Sequence, residues 1–151
     1  KGCEEILTEI QEDFDVVCCA CGTGGTISGI INSLKGHQKA LGFPALKGGD
    51  FLIEGIKKYV HNSQWELMTD YHFGGYAKVS QELVTFMNEF KRDFSIQLDP
   101  VYTAKMFYGI FDLIKKNNFP SNSTILAVHT GGLQGIEGMN QSLQSKEWKI
   151  D

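Results

Sequence analysis

An apolar run that breaks into glycines sets the strongest constraint on this chain. Phe14-Asp15-Val16-Val17-Cys18-Cys19-Ala20 leads into Cys21-Gly22-Thr23-Gly24-Gly25-Thr26, and Ile27 to Leu34 then has helical spacing. A short run without polar alternation suits a strand buried on both faces of a parallel sheet. In the turn that follows, missing side chains let successive backbone N–H groups converge on an anion at the N-terminus of the next helix. The chemistry fits phosphate. It does not fit a nucleoside-triphosphate loop, because no Gly-Lys-Ser/Thr follows, and Ile27 stands where the dinucleotide pattern needs a third glycine. A merely tight strand-to-helix connection is the plainer alternative.

The alternation continues along the chain. Ala40-Leu41-Gly42-Phe43 reads as a second strand, and Asp50 as the N-cap of a helix reaching about Val60. Trp65 to Thr69 predicts a third strand, residues 70–75 a loop, and Val79 to Phe94 a helix with apolar Leu83, Val84, Phe86, Met87 and Phe90. Pro100 suits the first turn of a helix over Val101 to Lys116. Thr124 to His129 supplies a fourth strand, ending in Thr130-Gly131-Gly132. Strands alternating with helices predict an α/β fold of three layers: a mostly parallel, twisted sheet of about four strands with helices on both faces. Residues 1–140 are expected to be the C-terminal portion of a larger domain, and residues 141–151 a loose C-terminal tail. The chain opens on Lys1 rather than Met, and residues 2–10 already read as an amphipathic helix, so a truncated chain is expected.

Composition narrows the partners. The 151 residues, 42% of them hydrophobic, suit one domain with one core. A net charge of −4 offers no basic face for a nucleic-acid backbone or a membrane surface. No apolar run approaches the roughly 20 residues of a membrane span. Cys18, Cys19 and Cys21 crowd one apolar segment as small buried residues, expected to be reduced thiols in the cytoplasm. Cys18 and Cys21 have one C-x-x-C spacing but no second cluster, so no metal site is expected.

Ligands of open parallel sheets bind beyond the carboxyl ends of the strands, which singles out Cys21 to Thr26, the loop from Asp70 to Tyr76, and His129 to Gly132. The Thr130 hydroxyl would point into the same crevice as the first loop, whereas His129 reads as a packed strand residue. His37, His61 and His72 read as scattered surface residues. Leu98-Asp99-Pro100-Val101-Tyr102-Thr103-Ala104-Lys105 joins a loop to a helix start, where the Tyr102 and Thr103 hydroxyls either face a ligand or belong to a capped helix and the core.

Gly22-Thr23-Gly24-Gly25-Thr26, Gly75-Tyr76, the Leu98 to Lys105 segment and His129-Thr130-Gly131-Gly132, in this order, resemble the second half of the D-cysteine desulfhydrase and 1-aminocyclopropane-1-carboxylate deaminase family. These are pyridoxal-phosphate enzymes of fold type II, the tryptophan-synthase-β-like fold. The resemblance implies that Cys21, Gly22, Thr23, Gly24, Gly25 and Thr26 hold the cofactor phosphate, that the Thr130 hydroxyl hydrogen-bonds the pyridine nitrogen, and that Gly131 also contacts the cofactor. It implies that Tyr76, Tyr102 and Thr103 approach the substrate. A hydroxyl beside the ring nitrogen makes the ring a gentler electron sink, suited to loss of a β leaving group such as thiolate. Deaminases that open the cyclopropane ring resemble one another in a glutamate after the tyrosine, where this chain has Thr103. The resemblance therefore favours elimination from D-cysteine or a similar small amino acid, giving pyruvate, ammonia and sulfide, with ring opening as the alternative. It also implies a homodimer. The family's Schiff-base lysine, beside a serine and an asparagine, lies in its first half and has no counterpart here, so the chain alone is expected to be inactive. The remaining lysines, Lys105 among them, read as lacking the apolar setting that would depress a pKa. A non-catalytic phosphate- or nucleotide-binding module is the alternative from another class.

Overall fold

The computed structural model describes residues 2–151. Its centre is one parallel sheet of four strands, β1 Val16–Cys21, β2 Lys39–Pro44, β3 Trp65–Leu67 and β4 Ile125–Ala127, in the order β3-β2-β1-β4. β1 is central, pairing with β2 over its whole length and with β4 through Val16 to Cys18. Five α-helices accompany the sheet: α1 Gly25–Asn32, α2 Phe51–Lys57, α3 Gln81–Phe94, α4 Thr103–Lys115 and α5 Gly135–Leu143.

The period-two geometry of β1 divides its side chains between two cores. Val17, Cys19 and Cys21 pack with Ile27, Ile30 and Ile31 of α1 and Leu52 and Ile56 of α2. Val16 and Cys18, with Leu41 and Phe43 of β2, pack on Met106, Ile110 and Leu113 of α4. Helices therefore cover both faces, as the unbroken apolar pattern of β1 requires. A third cluster joins α3 to the outer side of α4, with Leu83, Met87, Phe90 and Leu98 at its centre. Ser80 starts α3 by accepting a hydrogen bond from the Leu83 N–H at 3.2 Å. Among the described residues no helix is long and apolar enough to cross a membrane.

Several elements differ from the sequence-based expectation, each for a local reason. Residues Gly2–Glu9 form a 3-10 helix rather than an α-helix. Asp50 precedes α2 but caps nothing with its carboxylate, because its φ of −56° and ψ of −29° are already helical and an N-cap needs extended backbone. That helix ends at Lys57, short of Val60. α4 begins at Thr103 rather than Val101, since the Asp99 carboxylate holds the preceding turn. The C-terminal stretch is not loose. Leu143 and Ile150 are buried beside α3 and α4, Asn140 exchanges two hydrogen bonds with the Ile150 backbone, and Asn88 holds the Asp151 N–H.

Candidate functional site

The turn between β1 and α1 combines three glycines and two threonines at the N-terminus of a helix. Gly24, at φ +89°, occupies left-handed backbone, and a Cβ there would meet Ile56 at 3.2 Å. A Cβ on Gly22 would just touch the Tyr102 ring, at 3.4 Å. The first backbone N–H of this helix start that the chain itself satisfies is that of Ser28, which donates to the Gly24 carbonyl. Among the described residues the donors before it, at the positive end of α1, have no partner, and no acidic side chain in the first turn competes for them. Cys21 to Thr26, Tyr102 and Thr130 line one small depression at the carboxyl end of β1. Three segments spread over more than a hundred residues of sequence therefore meet. Glycine amides, threonine hydroxyls and no carboxylate among the lining groups make a donor set that fits a phosphate monoester.

The other candidates divide between the depression and its supports. Thr130 lies in it, exposed, and Gly131 follows at φ +90°. Tyr102 Oη donates to Tyr76 Oη across 3.4 Å, with the rings edge to face at 6.1 Å between centroids. That contact, then burial, pushes the Tyr102 phenol up to about 12, so it keeps its proton at neutral pH. Tyr76 is 57% exposed and stands above the rim. Thr103 is fully buried and does not line the depression. Its Oγ1 donates to Asp99 Oδ2 at 2.7 Å and accepts from the Asp99 N–H at 2.9 Å. Cys21 packs its thiol inward; the hydrogen bond with Cys19, followed by burial, raises it well above the usual thiol range. All four cysteines are free. A larger groove opens at the opposite end of the sheet, between Val16, His37, Lys39 and Phe119, away from the Gly22 to Thr26 turn.

Three contributors escaped the sequence reading. Asp99, 2% exposed, accepts from the N–H groups of Val101, Tyr102 and Thr103 at 2.8 to 2.9 Å, and so fixes where Tyr102 stands. His129 is an exposed splint rather than a packed strand residue: Nδ1 accepts from the Gly131 N–H at 3.1 Å, which leaves Nε2 to donate to the Gln97 carbonyl at 2.7 Å. It thereby ties the Thr130 turn to the segment before Asp99. Lys105, read as lacking an apolar setting, is 1% exposed, and burial pulls its ammonium down to about 8 against the opposing pull of Asp99. A lysine one turn into an amphipathic helix reads as solvated on periodicity alone, so only the packed loops reveal it.

Comparison with known proteins places the chain in a family. A family model described as pyridoxal-phosphate dependent enzyme matches residues 2–131. The chain belongs to that family. A Thermotoga maritima relative named putative 1-aminocyclopropane-1-carboxylate deaminase is 34% identical over 146 residues, covering 87% of this chain and 46% of the relative. An Arabidopsis thaliana relative, named bifunctional D-cysteine desulfhydrase/1-aminocyclopropane-1-carboxylate deaminase, mitochondrial, is 32% identical over 146 residues, covering 88% and 36% respectively. A crystal structure described as an ACC deaminase homologue superposes with a TM-score of 0.82 at 30% identity, covering 95% of this chain and 47% of that one. The chain thus spans about half the length of the relatives it matches, and its fold is that of pyridoxal-phosphate enzymes of fold type II.

Proposed function

We propose that this chain is the C-terminal part of the cofactor-binding large domain of a pyridoxal-phosphate lyase that eliminates a β leaving group from a small amino acid, D-cysteine in the first instance. The observation that carries the reading is the meeting of the Gly22 to Thr26 turn, Tyr102 and Thr130 in one depression. The backbone N–H groups of Gly22 to Thr26 would bind the cofactor phosphate at the positive end of α1. Thr130 Oγ1 would hydrogen-bond the pyridine nitrogen, and a hydroxyl leaves that nitrogen largely unprotonated. Bound there, the cofactor supplies a conjugated ring that draws electrons from the substrate's α-carbon.

The phenols on the other side divide the remaining work. Its contact with Tyr76 raises the Tyr102 phenol, which suits a hydrogen-bond donor at neutral pH, and this reading gives removal of the α-proton to another group. We assign that duty to a Schiff-base lysine outside residues 1–151. Tyr76, exposed at the rim, orients the substrate and narrows the approach of water. Ring opening of 1-aminocyclopropane-1-carboxylate is the second reading, supported by the relatives' names. Thr103 favours elimination, since its hydroxyl is closed on Asp99 and this position presents no carboxylate to a substrate. We place the enzyme in the cytoplasm, as a homodimer.

The test uses the protein that carries this chain together with its lysine-bearing segment. Pyridoxal phosphate should give a visible absorption band that borohydride fixes to a lysine outside residues 1–151, and D-cysteine should release sulfide. A folded protein with no band, or a specific adduct on a lysine of this chain, overturns the proposal.

A further inference from the structure

The Tyr76 loop lies along one stripe of α4, and each successive turn of that helix grips it. Tyr102 meets the Tyr76 phenol. Lys105 Nζ donates to the Gly75 carbonyl at 2.9 Å. Gly109 leaves room for the Tyr71 ring, which a Cβ would crowd to 3.0 Å while running into Phe43 at 2.6 Å. Asp112 accepts from the Tyr71 hydroxyl at 2.6 Å. The spacing of three, four and three residues is one face of a helix.

Within that stripe Lys105 is the costly member. It is an ammonium 1% exposed, and among the described residues no carboxylate lies within ion-pair distance of it. Buried charges of this kind are expensive, and a packed apolar side chain of the same length would cost the fold less. Its two acceptors give the reason for a lysine. Besides Gly75, Nζ donates to the Ala45 carbonyl at 3.1 Å, and the Ala45 N–H in turn donates to the Cys21 carbonyl at 3.0 Å, at the start of the phosphate turn. One side chain thus spans from the end of β2, registered on the glycine turn, to the residue before Tyr76.

We propose that Lys105 is a positioning residue for Tyr76: by holding the Gly75 carbonyl at a fixed distance from the end of β2, it keeps the Tyr76 phenol against Tyr102 at the mouth of the phosphate turn. The inference rests on the proposed function only in taking that mouth as the substrate side. Its test needs neither cofactor nor substrate, so a failure of the lyase reading leaves the result standing.

The decisive variant is Lys105→Met, which keeps the stem and removes the donor. The Gly75 carbonyl also accepts from the Lys78 N–H, and the Gly75 N–H donates to the His72 carbonyl, so both amides report on the loop. In K105M their hydrogen exchange should rise by about tenfold or more while the ladder amides of β1 and β2 keep their protection. The Tyr102 phenol, read by its ring carbon shift, should fall from about 12 toward the ordinary tyrosine value as Tyr76 departs. Lys105→Gln, which retains one donor, should restore part of both signals. Unchanged loop exchange, an unmoved Tyr102 titration, loss of protection spread evenly over the sheet, or failure of both variants to fold would each overturn the proposal.

Discussion

Lys105 makes the stability of this protein depend on pH with a sign opposite to that of its neighbours. Burial lowers its ammonium from 10.5 to about 8 in the folded chain. Between those values the unfolded chain binds a proton that the folded chain has released, so stability rises with pH across this window. Below pH 8 both forms are charged and the burial penalty is fully present; above 10.5 both are neutral and it is gone. The difference corresponds to about 3 kcal/mol at most. Cys18, which burial pushes up to about 12, works the other way, because the unfolded thiol ionises first, and the raised phenols of Tyr102 and Tyr108 add to that loss. The lysine's share is therefore read against Lys105→Met. Urea unfolding followed by circular dichroism, under reducing conditions from pH 7 to 10.5, should show the wild type gaining up to about 3 kcal/mol on the variant as pH rises. A gap that stays constant or moves in the variant's favour would refute the placement of a charged lysine in this interior.

Ser80→Ala removes the side-chain acceptor at the start of α3 and should cost about 1 kcal/mol in urea unfolding without altering the depression. Ile150→Ala should cost about 2 to 4 kcal/mol, because the residue is 1% exposed in the cluster beside α3 and α4; a cost near zero would return the C-terminal residues to the status of a loose tail. Thr103→Glu should destabilise more than Thr103→Val, since it sets a second carboxylate against Asp99 in a buried pocket, and equal losses in thermal unfolding would count against the Asp99 geometry.

Much of the architecture was legible because β1 carries its message in composition. Six nearly continuous apolar residues ending in glycines leave little choice but a central parallel strand with a tight turn at its end. Helix boundaries were read less well where side chains act on the backbone of other residues. Asp99 reaches forward over Pro100 to hold three N–H groups, and nothing in local periodicity separates that from a helix beginning at Val101. The same holds for the C-terminal residues, whose order comes from Asn88 and Asn140, polar groups that a sequence offers without stating their partners. The residues of the glycine turn were read at the end of β1, where the structure places them, because glycines after an apolar run mark a turn without needing a partner. Asp99, His129 and Lys105 were missed because each works through carbonyls and N–H groups that only the fold brings near.

The central claim is that the Gly22 to Thr26 turn anchors a cofactor by its phosphate. Gly25→Asp tests it with little strain, since Gly25 is exposed and a Cβ there meets only Thr23 Oγ1, at 3.9 Å. An aspartate in the first turn of α1 suits the helix dipole, so the fold should keep its stability or gain slightly, while the new charge should repel a phosphate. Equilibrium dialysis on the protein that carries this chain with its lysine-bearing segment should show pyridoxal phosphate binding the wild type, inorganic phosphate competing with it, and G25D binding weakened by about tenfold or more. Equal binding of pyridoxal without its phosphate, or undiminished binding by a folded G25D, would contradict the account.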